Sequence, residues 1–338
     1  MLLKGKDIAK KLGVSSTAVS LAINHKPGIS EAKRRQIIRA IQEMGCDYLL
    51  KEDSSVNRSI GFVVYKRQGT IVDESPFFSY FLEGITAKLD NLQYSLKMLY
   101  ISSNMSMEEQ KKILENAHCT GLIIFAVEMI YEDLRVFKDS GLPFVILDNS
   151  FQFNDVDTLA INNANGIRTA VNYLISRGHR RIGYIRSKSS INGFVDRYNA
   201  YRRTLQDNDI PFHEEDAVWV GYSDMEARQD MMQYVRSSKE LPTAFVSDND
   251  LVACGAMKGV QEAGFSVPED ISFIGFDDRP ICLMMTPTLT TLMVPKDAFG
   301  NACVDLLTQK IDNPRGYAIK MDIGTILIER ESVRSILP

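Results

Sequence analysis

The sequence predicts a small all-α head followed by an α/β body of two doubly wound parallel-sheet subdomains. Three observations carry this reading. Three short helical periods, each with its own start and stop signals, fill about the first 45 residues. From residue 59 onward, apolar runs of strand length alternate with helical stretches, and this rhythm is stated twice. Charge divides at the same place: residues 1–58 hold eleven Lys/Arg against six Asp/Glu, a net of +5, while the remaining 280 residues hold 28 against 37, a net of −9. A basic head on an acidic body suits contact with a polyanion, although a merely solvated head has the same composition.

The head begins with Lys6–Leu12, where Ile8, Ala9 and Leu12 share one helical face and Gly13 permits the left-handed stop. Ser15 supplies an N-cap hydroxyl for a second helix, whose inner face carries Val19 and Ile23 at i, i+4. Asn24-His-Lys-Pro-Gly28 reads as a turn. Ser30 caps a third helix with Ile37, Ile38, Ile41 and Met44 on its apolar face, and Gly45 stops it. Two short helices joined by a tight turn, with a third completing the core, describe a helix-turn-helix. The second helix of that motif lies in the major groove of double-stranded DNA. Ser15, Ser16, Thr17, Ser20, Leu21 and Asn24 are its candidate base-side residues, and Lys4, Lys6, Lys10, Lys33, Arg34 and Arg35 its candidate phosphate contacts.

In the body, strands are predicted at Ile60–Tyr65, Leu96–Ile101, Gly121–Ala126 and Pro143–Asp148, then at Arg181–Arg186, Ala217–Gly221, Thr243–Asp248 and Ile271–Asp277, with helices between. Three of these runs end in a carboxylate: Asp148, Asp248 and Asp277. Ligands of doubly wound sheets bind outside the carboxyl ends of the strands, so two such sheets facing each other would line a cleft with acids. The competing role for each Asp is to cap the helix that follows.

Composition narrows the function. With 338 residues, 45% apolar and 24% charged, the chain is long enough for two or three cores and ordinary for a soluble protein. No apolar run reaches the roughly 18 residues of a membrane span, and the N-terminus lacks a secretory pattern, so a cytoplasmic protein is expected. The cysteines Cys46, Cys119, Cys254, Cys282 and Cys303 are odd in number and never in CxxC spacing, which suits reduced thiols. No GxGxxG, GxxxxGK[ST] or HExxH is present, and His25, His118, His179 and His213 are scattered. No catalytic residue, metal site or cofactor is therefore expected. The alternatives kept open are an enzyme on a doubly wound fold and a pure sugar-binding protein.

The segment KDIAKKLGVSSTAVSLAINHKPGISEAKRRQIIRAIQEMG closely resembles the DNA-binding domain of the LacI/GalR (lactose-repressor/galactose-repressor) family, without a gap. The resemblance continues through Ser75-Pro-Phe-Phe78 with Glu83-Gly-Ile85, Ile161-Asn-Asn-Ala-Asn-Gly166, the GHRRI of 178–182, Asn249–Ala256 and the 267–278 segment, covering roughly residues 5–45 and 60–332. The body is also similar to periplasmic sugar-binding proteins.

The resemblance implies a homodimeric transcriptional repressor that reads a pseudo-palindromic DNA operator and answers to a small-molecule effector, a sugar or sugar derivative. It implies a head over residues 1–48, a hinge over 49–59 and an effector-binding body over 60–338. The body's N-subdomain would span about 60–160 and 292–320, and its C-subdomain about 161–291 and 321–332. It places the effector against Phe77, Asp148, Asn163, Arg197, Tyr222, Asn249 and Asp277, with Trp219 competing with Tyr222 for the stacking role. Asn162 stands where the family usually has Asp. Leu21 stands where many members carry Arg; it either touches a thymine methyl or packs on its own domain. The hinge lacks the family's Pro-Asn pair, which leaves Leu49 and Leu50 as candidate minor-groove wedges and predicts weak or differently built DNA kinking. The absence of a heptad-bearing tail points to a dimer rather than a tetramer.

Overall fold

The structure is a computed structural model that describes residues 5–337 except 25, 27, 47, 48, 50–57, 75, 76 and 152–154. Lys4, Leu50 and most of the expected hinge lie outside the described residues. The chain divides into two compact units, 1–58 and 59–338.

The head holds α1 (Gly5–Leu12), α2 (Ser16–Ile23) and α3 (Glu31–Glu43). Ile8, Ala9, Val19, Ala22, Ile23, Ile37, Ile41 and Cys46 form its buried core, each larger side chain contributing about 1.5–3 kcal/mol. The Ser15 hydroxyl accepts from the Ala18 amide at 3.0 Å and the Ser30 hydroxyl from the Lys33 amide at 3.3 Å, so both expected caps form. Gly13 and Gly45 end α1 and α3 with φ of +63° each, a conformation that costs glycine little.

Leu49 is a correction. It packs on this core, and its amide donates to the Cys46 carbonyl at 2.9 Å. In this structure Leu49 is therefore partly buried on the head's own core rather than standing free as a wedge.

The body contains two six-stranded sheets. The first runs in the order β2 (Ser95–Ser102), β1 (Ser59–Lys66), β3 (Gly121–Phe125), β4 (Phe144–Leu147), β5 (Thr158–Ile161), β11 (Lys320–Ile323). The second runs β7 (Ala217–Val220), β6 (Ile182–Ser187), β8 (Ala244–Ser247), β9 (Ser272–Asp277), β10 (Thr290–Met293), β12 (Ile326–Ile328). Among the described residues every strand pairing is parallel except that of β10 with β12. Strands such as β1 and β3 are apolar almost throughout because helices cover both faces.

On the first sheet lie α4 (Thr70–Glu74), α5 (Ser79–Asn91), α6 (Met107–Ala117), α7 (Arg135–Asp139) and α12 (Lys296–Asp312). On the second lie α8 (Asn163–Ser176), α9 (Asn192–Asp207), α10 (Asp224–Ser237) and α11 (Asp250–Glu262). The paired helices α5 and α12 approach closely at two glycines: a Cβ on Gly84 would stand 3.2 Å from the Asp297 backbone, and one on Gly300 2.9 Å from the Phe81 carbonyl.

Strands β5, β10, β11 and β12 were not among those predicted. They place the chain's crossings between the sheets after Ile161, Met293 and Ile323, a few residues from the expected boundaries.

Candidate DNA-reading helix and candidate effector cavity

In the head, Ser16, Thr17 and Ser20 are exposed on α2, and Lys6 is exposed on α1. Ser15 is exposed too, but its hydroxyl is engaged as the α2 cap. Asn24 turns its amide back, donating to the Ser20 carbonyl at 2.7 Å and the Ser20 hydroxyl at 3.3 Å. Leu21 is half-buried, with its Cδ1 so close to Gly28 that a Cβ there would come within 3.1 Å. Gly28 has φ +124°. Leu21 therefore packs on the exit turn and still exposes part of its surface, so the two roles weighed for it are compatible.

Arg34 is a correction to the expected phosphate contacts. It is buried, and its guanidinium donates to the Leu21 carbonyl at 2.9 Å and the Lys26 carbonyl at 2.7 Å. These oxygens lie at and just past the end of α2, where a helix leaves carbonyls without partners and a cation is favoured. In this structure the Arg34 guanidinium is directed to the end of α2.

In the body, the strand ends of both sheets meet around a cavity. The first sheet contributes Ile71, Phe77, Phe125, Val127 and Asp148; the second contributes Ile191, Phe194, Arg197, Tyr222, Asn249 and Asp277. Six of the seven expected effector residues line it. The seventh, Asn163, sits behind Arg197 and accepts from its Nε at 2.7 Å. Arg197 also donates to the Asp248 carbonyl, lies 3.8 Å from the Asp277 carboxylate and stacks 3.5 Å over the Phe276 ring. The cavity is about 30 Å³, room for about two waters.

The acids differ in role. Asp148 and Asp277 face the cavity from residues with φ of +63° and +111°, conformations that side-chain-bearing residues rarely adopt and that persist where the surroundings impose them. Burial pushes the Asp148 carboxyl up to about 7, with Arg197 pulling it down and Asp277 pushing it further up. Burial pushes Asp277 up to about 6 against the pull of Arg197, Arg279 and Lys296. Asp248 is a correction to the set of three strand-end acids. Its carboxylate is spent internally, accepting from the Tyr184 hydroxyl at 2.8 Å and the Ser187 amide at 2.6 Å. It braces the second sheet instead of facing the cavity.

Asn249 does two things at once. Its oxygen accepts from the Val252 amide at 3.2 Å, capping α11, and its nitrogen donates to the Tyr222 hydroxyl at 3.0 Å. Tyr222, with its ring centroid 6.1 Å from that of Phe194, is the aromatic wall on this side. Trp219 is 49% exposed and stacks on Arg186, so it takes no part. Asn162 caps α8 by accepting from the Asn165 amide at 3.0 Å.

Sequence reasoning missed the apolar walls Ile71, Phe125, Val127, Ile191 and Phe194. Only Phe194 left a signal, since it lies one helical turn before Arg197. The rest become neighbours only when two sheets meet.

Among the described residues no group of His, Cys, Asp and Glu is placed to hold a metal, and no helix is long and apolar enough to cross a membrane. The five cysteines are buried and unpaired by disulfides, and His179 is held between Thr243 and the Arg334 carbonyl.

Comparison with known proteins agrees with this geometry. Residues 6–47 match the family of bacterial regulatory proteins, lacI family, and residues 171–333 match the periplasmic binding protein-like domain. The HTH-type transcriptional repressor PurR of Pectobacterium carotovorum is 31% identical over 335 residues, covering 97% of this chain and 96% of that one. PurR of Photorhabdus laumondii is 31% identical over 337 residues with the same coverage.

Among solved structures, the transcriptional regulator CelR in complex with cellobiose superposes with a TM-score of 0.72 at 23% identity, covering 98% of this chain and 99% of that one. The Lac repressor dimer bound to operator and the anti-inducer ONPF gives 0.71 at 24% identity, covering 99% and 100%. A LacI family regulator from Enterococcus faecium with bound ribose gives 0.69 at 24% identity, covering 83% and 100%. The first two share the whole fold, a small helical head and two parallel-sheet subdomains of periplasmic-binding-protein type, and the third matches 83% of this chain. With relatives of this identity spanning nearly its whole length, the chain belongs to the LacI/GalR family and is a DNA-binding transcriptional repressor, not an enzyme.

Proposed function

We propose that operator binding by this repressor is controlled by an unphosphorylated, hydroxyl-rich small molecule, a sugar or sugar derivative, held in the body cavity. One observation carries the reading. Two nitrogens of Arg197 are already engaged, by Asn163 and the Asp248 carbonyl, while no hydrogen bond from any described residue reaches the Asp148 carboxylate. A ligand entering here meets acceptors, Asp148 and Asp277, and aromatic faces, Phe77, Phe194 and Tyr222. Hydroxyl groups donate to such carboxylates and the apolar face of a sugar ring stacks on such rings. A phosphate would meet two carboxyls and one guanidinium that is already partly engaged. The cellobiose and ribose bound by two structural relatives are ligands of this kind. Small-molecule sites usually run from about 300 Å³, so the cavity must open to admit the effector and close behind it.

The DNA side is read by residues 15–24 of two subunits, placed in successive major grooves of a pseudo-palindromic operator. A homodimer is supported by apolar side chains left on the outside. Met225 is 68% exposed, and Leu283 and Met284 are 64% and 81% exposed on the turn that packs beside α11. Leu283 and Met284, adjacent in the chain, leave apolar surface of the kind that an interface covers.

A thermal-shift screen with ribose, cellobiose and sugar phosphates, read beside operator binding with and without each hit, tests the effector reading. Stabilisation by an unphosphorylated compound that also changes operator affinity is the expected result. Stabilisation by phosphorylated compounds alone, or by none of these compounds, overturns it.

A further inference from the structure

Beneath the loop that joins β1 to α4 lies a carboxylate that the cavity does not use. Glu128 is buried just past the end of β3. One of its oxygens accepts from the backbone amides of Arg67, Gln68 and Gly69 at 2.9, 2.9 and 2.8 Å. The other accepts from those of Ile71 and Val72 at 2.8 and 3.2 Å. Five successive donors, interrupted only at Thr70, converge on one side chain. The loop's beginning is tied to the same segment: Arg67 donates to both carboxylate oxygens of Asp133, at 2.7 and 2.8 Å.

The position of this clamp gives it a consequence. Ile71, whose amide Glu128 holds, is a wall of the effector cavity, and so is Val127, the residue before Glu128. In the turn that follows β3, Val127 lines the cavity while Glu128 reaches under the loop. Without the carboxylate, five amides lose their acceptor, those of Ile71 and Val72 in a buried setting, and the loop must refold or admit water to satisfy them.

We propose that Glu128 is a positioning residue for the effector cavity. It holds the 67–72 loop in its closed shape, keeps Ile71 in the wall before any effector arrives, and so sets effector affinity without touching the effector. The inference rests on the effector reading given above. A preformed loop spares the complex the entropy of ordering it, which is the general route by which rigidity raises affinity. The loop's shape is specific in a second respect: Gly69 has φ +84°, and a Cβ there would stand 2.9 Å from an Asp73 carboxylate oxygen.

The test uses the full chain and two substitutions. Glu128→Gln leaves one carbonyl oxygen and turns an NH2 group toward the loop's donors. Gly69→Ala disturbs the same loop without uncovering any acceptor, and serves if the first variant does not fold. Hydrogen exchange is expected to show amides 67–72 losing protection in Glu128→Gln while those of β1 and β3 keep theirs. Affinity for ribose or cellobiose, whichever the wild-type protein binds, is expected to fall about tenfold or more in both variants. Operator affinity of the effector-free protein should stay within about twofold, which general destabilisation would not leave unchanged.

Unchanged exchange at 67–72 overturns the clamp. Lost protection with unchanged sugar affinity overturns its role at the cavity. A wild-type protein that binds neither sugar counts against the effector reading. The clamp is then judged on the exchange data and on whether Ile71 leaves the cavity wall in a crystal structure of Glu128→Gln.

Discussion

The head keeps its candidate contact groups outside, and the body keeps its own inside. Ser16, Thr17 and Ser20 stand exposed on a helix whose opposite face is Val19, Ala22 and Ile23. Asp277, Arg197, Asn249 and Tyr222 are all buried, and the acid among them, Asp277, has its pKa pushed up by that burial. A groove in DNA is a large partner that comes to the surface, so short side chains on a stiff helix suffice and their solvation is hardly disturbed beforehand. A small ligand must be surrounded, so the protein desolvates its polar groups in advance and arranges them to satisfy one another. Changes in the head should therefore alter recognition at little cost in stability, while changes in the cavity should alter both.

The largest effect expected from that contrast is at Arg197. Replacing it with alanine leaves Asp277 and the Asp248 carbonyl without their buried partner, and should cost about 3–5 kcal/mol of body stability. Urea unfolding measures this, and a loss below about 1 kcal/mol would erase the difference between the two regions. Arg34 should behave as the head's one exception. Arg34→Ala removes two hydrogen bonds to carbonyls at the end of α2, worth about 1–3 kcal/mol. Operator binding should weaken evenly across sequences, while the slope of log affinity against log salt stays unchanged. A slope smaller by about one would return Arg34 to the phosphate backbone.

Leu21→Arg should leave the body's melting temperature alone and shift preference at one operator base pair by about 1–3 kcal/mol toward guanine. Unchanged base preference in a binding-site selection would reduce Leu21 to its packing against the Gly28 turn. The finest of the four tests is pH. The carboxyls of Asp148 and Asp277 titrate near 7 and 6 in the fold and at the ordinary 3.8 in the unfolded chain. Between about pH 4 and 7 the folded body therefore holds protons that the unfolded chain has lost. Their contribution to stability is full below pH 4 and is lost as pH rises through 6 to 7. Melting temperature should fall by a few degrees across that window, and Asp148→Asn should flatten the fall. A slope identical in wild type and variant would show that Asp148 is no deeper in the fold than an ordinary surface acid.

The two regions also differ in how far their residues announce themselves. Ser15, Ser30, Gly13 and Gly45 act within one turn of where they stand, and each does what its neighbours in the chain imply. Arg34 and Leu49 were misread because a basic or apolar residue near a recognition helix has two destinations. The choice depends on packing from a third helix that periodicity does not resolve. In the body, the apolar runs located eight strands, but β5, β10, β11 and β12 are short and their turns weak. Of the three strand-end acids, nothing local distinguished Asp248, which braces Tyr184 and the Ser187 amide, from Asp148 and Asp277, which face the cavity. Glu128 left no trace at all, since its five donors lie about sixty residues away in the chain.

By itself the sequence determined the helix boundaries of the head, the repeated alternation of strand and helix, the charge division and the family pattern. All of these depend on spacing and on interactions within a turn or two. Only the tertiary structure decided which buried carboxylates face the cavity, which arginine is spent inside the head and which loop is clamped. Those outcomes depend on burial, and burial is a property of surfaces brought together from distant parts of the chain.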